Sequence, residues 1–124
     1  MNWFSLDSTE TLDDLLVPSN EEKKLTLIFK HSTRCPISVM ALNRIESNWN
    51  LNDYIQPYFL DLIPYRTVSN EVSDKLNIIH ESPQVIVLKD GKAIYSRSHN
   101  AIQIEELRKL RGTIHAIELM LTFV

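Results

Sequence analysis

Apolar and polar positions alternate in blocks along this chain, and the blocks change period. Leu12, Leu15 and Leu16 form one apolar stripe at helical spacing. Asp7 or Ser8 is placed to cap that helix, with Asp7 and Glu10 at capping-box spacing. Val17-Pro18-Ser19-Asn20 is a stop signal, and Glu21 to Lys24 is a charged connection. The run from Leu25 to Lys30 is short and almost wholly apolar, which predicts a strand covered on both faces. Ile37, Ala41, Ile45 and Trp49 then recur every four residues and predict a helix, with Pro36 in its first turn. Ile55 to Leu62 is a second strand pattern. Val68, Val72 and Leu76 mark a third helix ending near Asn77. Gln84 to Lys89 and Lys92 to His99 are two strands joined by Asp90-Gly91, a strong hairpin signal. Ile102 to Leu110 predicts a fourth helix, and Ile114, Ile117 and Leu121 extend an apolar stripe beyond Gly112.

The predicted order is α-β-α-β-α-β-β-α. A strand, a helix and a second strand form a right-handed βαβ unit, and the last two strands form a hairpin. The simplest assembly is a four-stranded mixed sheet flanked by helices on both faces, one domain over residues 1–124. A chain of 124 residues is long enough to bury a real core. Its net charge of −3 offers no basic footprint for nucleic acid or anionic lipid. No run reaches the ~18 apolar residues of a membrane helix. The first residues lack the basic and apolar regions of a signal peptide, so the expected location is cytoplasmic.

The chemistry concentrates at His31-Ser32-Thr33-Arg34-Cys35-Pro36-Ile37-Ser38, which holds the only cysteine. An internal disulfide and a cysteine-rich zinc site are thereby excluded. A lone cysteine is often just a small buried hydrophobe. Here it falls between a strand and a helix, at a helix N-terminus, where a thiol ionises most readily. The four histidines (His31, His80, His99, His115) make no local ligand pair, so no metal site is expected.

A cysteine opening the βαβ helix, with an X-Pro before the third strand, resembles the thioredoxin fold. That superfamily carries Cys-x-x-Cys or Cys-x-x-Ser; this chain has Cys35-Pro36-Ile37-Ser38. Thr33-Arg34-Cys35-Pro36-Ile37-Ser38, Ser69-Asn70-Glu71, His80-Glu81-Ser82-Pro83-Gln84, Lys89-Asp90-Gly91-Lys92 and Ser98-His99 together resemble the monothiol bacilliredoxin family, from about Phe29 to about Leu110. Arg34 departs from it, since many members carry a small polar residue there.

The resemblance implies that Cys35 takes bacillithiol, or another low-molecular-weight thiol, from mixed disulfides on S-thiolated client proteins. It implies no tightly bound cofactor; the small thiol is a co-substrate. Ser38 stands where a dithiol enzyme has its resolving cysteine, either touching the thiolate or bonding its own helix backbone. Thr33, Arg34 and Pro36 complete the active-site loop, with Arg34 offering a positive charge to the sulfur or to a ligand carboxylate. Pro83 is implied to be a cis-proline facing the cysteine. Ser82 would offer backbone N–H and C=O to an extended substrate. His99 and Asn100, just before the last helix, would meet an anionic group such as the malate of bacillithiol. His80 lies beside the proline loop, to orient it, face the thiol or serve a surface role. His31 ends the strand with its side chain expected to point away from the cysteine. Tyr95, Trp49 and Trp3 read as packing residues. A non-catalytic interaction module and a thiol redox sensor are the rival readings, and the oligomeric state is open.

Overall fold

The structure is a computed structural model, which describes residues 1–18 and 24–112. The apolar extension from residue 113 onward, and most of the charged connection before the first long strand, lie outside the described residues. The elements are β1 (Phe4–Ser5), α1 (Thr9–Leu16), β2 (Leu25–His31), α2 (Pro36–Ser47), β3 (Ile55–Asp61), α3 (Arg66–Leu76), β4 (Gln84–Lys89) and β5 (Lys92–Ser98). A 3₁₀ turn (His99–Ala101) follows, and residues 104–112 form a further helix, α4.

The sheet has five strands in the order β1-β3-β2-β4-β5, not the expected four. β1, β3 and β2 run parallel, β4 runs antiparallel to β2, and β5 antiparallel to β4. The extra strand is only two residues long, too short to show a period of two. What holds it is side-chain packing around it. Trp3 stacks on Phe29 at 5.7 Å and meets Phe59 edge-on, and Phe4 stacks on Tyr58 at 5.3 Å. The Leu6 N–H donates to the Phe59 carbonyl at 2.9 Å.

Strand alternation divides the interior into two cores. Leu25, Leu27, Phe29, Val85 and Val87 face Ala41 and Ile45 of α2 and Leu107 of α4. Ile28, Ile86 and Leu88 face Leu12 of α1 and Val68 and Val72 of α3. The helix starts and stops follow local chemistry. Ser8, rather than Asp7, caps α1, its Oγ accepting the Thr11 N–H at 3.1 Å. Asn77 closes α3 in the left-handed region, its N–H donating to the Ser73 carbonyl.

Asp90 and Gly91 both have positive φ, as a tight two-residue hairpin turn requires. Gly91 is also held by crowding: a Cβ there would lie 2.1 Å from the Leu16 carbonyl oxygen at the end of α1.

The predicted stripe of α2 needs one correction. Ala41 and Ile45 are fully buried, but Ile37 is 41% exposed. The buried residue of the first turn is Ser38, so the inward face runs Ser38, Ala41, Ile45. A hydroxyl replaces the apolar side chain there because it is hydrogen-bonded, as described next.

Candidate active site

Parallel β2 and antiparallel β4 are neighbours, with Lys30 opposite Gln84. The loop after β2 and the turn before β4 therefore leave the sheet at the same end. The first carries Cys35 and the second carries Ser82-Pro83.

Cys35 is the N-cap of α2, half-buried and free, with Pro36 directly after it. The first N–H groups of a helix have no partner within it, and they face an N-cap side chain with partial positive charge. The Cys35 N–H donates to the Ser32 carbonyl at 3.2 Å, and the Cys35 carbonyl accepts the Val39 N–H at 3.1 Å. Thr33, Arg34 and Pro36 are exposed around the sulfur's position in the loop.

Ser38 is 0% exposed and bonds neither solvent nor its own helix. Its Oγ accepts the Ser32 N–H at 3.0 Å and lies 2.7 Å from His31 Nδ1. Both ends of the Cys35 loop are thus tied to one hydroxyl. His31 was expected to point away; instead its ring packs under α2, 5.6 Å from Phe29 and 5.3 Å from Phe59. Burial holds the His31 pKa below its usual value, against the opposing charge of Asp61, its register partner on β3. In the neutral ring the simplest assignment has Ser38 O–H donating to Nδ1 and the ring proton on Nε2. Asp61 Oδ1 is buried with no hydrogen-bond partner among the described residues.

The Ser82–Pro83 peptide bond is cis. Pro83 is buried, and its carbonyl accepts the His99 N–H at 3.0 Å, which joins the turn after β5 to the proline loop. His99 has φ 54, and its own carbonyl accepts from Arg44 Nη2 of α2 at 3.2 Å. His99 and Asn100 are exposed, in the 3₁₀ turn that precedes α4. Gln84 Nε2 donates to the Ile79 carbonyl at 3.0 Å, closing the loop from below.

One group was missed from sequence. Lys30, counted only as the end of an apolar strand, is 0% exposed. Its Nζ donates to the Ser69 carbonyl at 3.1 Å and Ser73 Oγ at 2.9 Å, both on α3, and to His80 Nδ1 at 3.1 Å. Burial first, and then the Arg66 charge, lower its pKa to about 8. His80 is likewise lowered by burial, then by Lys30 and Arg66, with Glu81 opposing. The signal was present: alternation puts Lys30 on the same face as Ile28, and a lysine facing inward in a doubly covered strand is rare.

Among the described residues, no helix is long and apolar enough to cross a membrane. The family model for monothiol bacilliredoxin BrxC matches residues 5–107. A solved protein described as a candidate oxidoreductase with a thioredoxin fold is 27% identical, with a TM-score of 0.73, covering 87% of this chain and 92% of its own. Thioredoxin from Trypanosoma brucei brucei is 16% identical with a TM-score of 0.67, covering 92% of each chain. Thioredoxin from Malassezia sympodialis is 18% identical with a TM-score of 0.64, covering 93% and 90%. These last two speak for the fold alone. A thioredoxin-like sheet with its single cysteine capping α2, matched by that family model over most of its length, has a thiol redox function: the chain belongs to the monothiol bacilliredoxin family.

Proposed function

We propose that this protein removes bacillithiol, or another low-molecular-weight thiol, from mixed disulfides on client proteins. The Cys35 thiolate attacks the sulfur of the small thiol. The protein–thiol disulfide breaks, the client leaves as a thiolate and takes up a proton, and the small thiol stays on Cys35 as a new mixed disulfide. A second small thiol then attacks that sulfur, leaving as the symmetric disulfide and restoring Cys35.

The observation that carries this reading is the state of Ser38. The position of a resolving thiol is held by a buried hydroxyl already engaged by Ser32 and His31, in a chain with one cysteine. An adduct on Cys35 has no internal route of release. Around it, Thr33, Arg34 and Pro36 line the approach to the sulfur, and Arg34 offers a cation to a ligand carboxylate. Ser82 would present its backbone groups to the client chain, beside Pro83. The His99 N–H is occupied by Pro83, so the exposed His99 ring and Asn100 amide are the groups left to meet an anionic ligand. No cofactor is required, and reaction with soluble clients suits the cytoplasm.

The test is to mix the protein with a single-cysteine peptide carrying bacillithiol and to follow intact mass. Cys35 is expected to gain one bacillithiol as the peptide loses one, and Cys35→Ala to be inert. A Cys35→Ala variant as active as wild type, or a wild type that never gains the adduct, sinks the reading.

A further inference from the structure

Lys30 and His80 are not needed as a nucleophile or a proton carrier in the exchange above, yet they occupy the junction between its two loops. A buried ammonium normally has a carboxylate partner. Lys30 has three neutral acceptors instead, on two different segments: Ser69 and Ser73 of α3, and His80 of the proline loop. An ammonium can only donate, so His80 Nδ1 accepts and the neutral ring carries its proton on Nε2. Arg66 Nη1, 3.5 Å from Nε2, is then a cation beside a donor rather than a hydrogen-bond partner.

Removing the ammonium would orphan none of its acceptors. The Ser69 carbonyl also accepts from Ser73 Oγ at 3.4 Å, and His80 Nδ1 also lies 3.4 Å from Ser69 Oγ. A buried charge whose partners do not depend on it adds little to folding. What it does add is a tether between β2, which leads into the Cys35 loop, and the segment that ends in Ser82-Pro83.

We propose that Lys30 and His80 are positioning residues of the exchange site: their Nζ–Nδ1 hydrogen bond sets the placement of the Ser82-Pro83 turn, and with it how a client disulfide is presented to Cys35. The inference rests on the exchange reading and deepens it. The pair is also sensitive to acid. Protonating His80 turns Nδ1 into a donor facing an ammonium, with Arg66 and Lys30 repelling the new charge and only Glu81 opposing them. Ser69 and Ser73, the other groups packed on Lys30, carry no charge.

The experiment compares two reactions of the full chain. One is exchange with a bacillithiol-capped single-cysteine peptide, which needs the client placed. The other is alkylation of Cys35 by iodoacetamide, which does not. Lys30→Met and His80→Leu are expected to lower exchange about 10–100-fold, the range a small misplacement produces. Their alkylation rates should stay within about twofold of wild type, and the loss should fall on kcat/KM. His80→Asn keeps an acceptor near the Nδ1 position and should restore most of the exchange. In wild type the ratio of exchange to alkylation should fall between pH 7 and pH 5, and in His80→Asn it should fall less; an equal fall in both overturns the role of the pair. Exchange at the wild-type rate in Lys30→Met and His80→Leu overturns the inference while leaving the exchange reading intact. So does alkylation falling in step with exchange, or a Lys30→Met chain that no longer folds. A wild type that takes no bacillithiol overturns both.

Discussion

Lys30 and His31 are neighbours in the chain and end on opposite faces of the sheet. Each is a buried polar side chain at the site end of a strand that is otherwise apolar but for Thr26. They are held in opposite ways. His31 meets one hydroxyl, Ser38, and that hydroxyl alone also satisfies the Ser32 N–H. Lys30 makes three hydrogen bonds, and its acceptors keep other neighbours. Buried polar groups of equal burial thus differ in what their loss leaves behind. The energetic weight of such a group lies less in its own bonds than in whether it strands a partner.

The contrast can be broken most severely at Ser38. Ser38→Ala leaves the half-buried Ser32 N–H and the buried His31 ring nitrogen unpartnered, so urea unfolding should show a loss of about 1–3 kcal/mol. On the other face the sign reverses. Lys30→Met, similar in volume and apolar, should stabilise the fold at pH 7 by roughly 1–3 kcal/mol, read from the same titration. If both variants are destabilised alike, the distinction between the faces is wrong.

The stabilisation should also depend on pH in a defined direction. With a folded pKa of about 8, against 10.5 for an ordinary lysine, the fold sheds the proton first. Between those values the unfolded chain binds more protons, so this group's contribution to stability rises with pH. The advantage of Lys30→Met over wild type is therefore full below pH 8 and shrinks as pH climbs toward 10.5. The histidines give a smaller effect at the other end. Both are held below the ordinary value of 6.5, so below that pH the unfolded chain takes protons first and stability falls. A His31→Asn, His80→Asn double variant should show a shallower loss between pH 6.5 and 5 than wild type, read from the same urea titration at the two pH values. The smallest effect sets the baseline. Asp53 and Arg111 pair at 2.6 Å with both side chains exposed, and Asp53→Ala should move stability by no more than about 0.5 kcal/mol.

Much of the scaffold was legible because it rests on local periodicity and turn chemistry. The run from Leu25 to Lys30, the Val68-Val72-Leu76 stripe and Asp90-Gly91 all became the elements they suggested. Cys35 as a helix N-cap followed from Pro36 and the strand before it. What escaped depends on contacts distant in sequence. β1 exists because Trp3 and Phe4 find Phe29, Phe59 and Tyr58. Ile37 fits the spacing of the α2 stripe, but the inward position belongs to Ser38, because His31 and Ser32 wait there. Lys30 looks like a solvated strand end until the hydroxyl-bearing face of α3 is laid over it. The hydrogen-bonded polar interior of the site was invisible to hydropathy, since hydropathy scores the residue and not its partner.

α2 carries Cys35 at its N-terminal cap and Arg44 near its other end, and Arg44 grips the His99 carbonyl. They are nine positions apart, about 13.5 Å along the axis at the usual rise per residue. One helix thus holds the cysteine at its start and, through the Arg44 side chain, the turn that touches Pro83, so a shift of α2 would move both together.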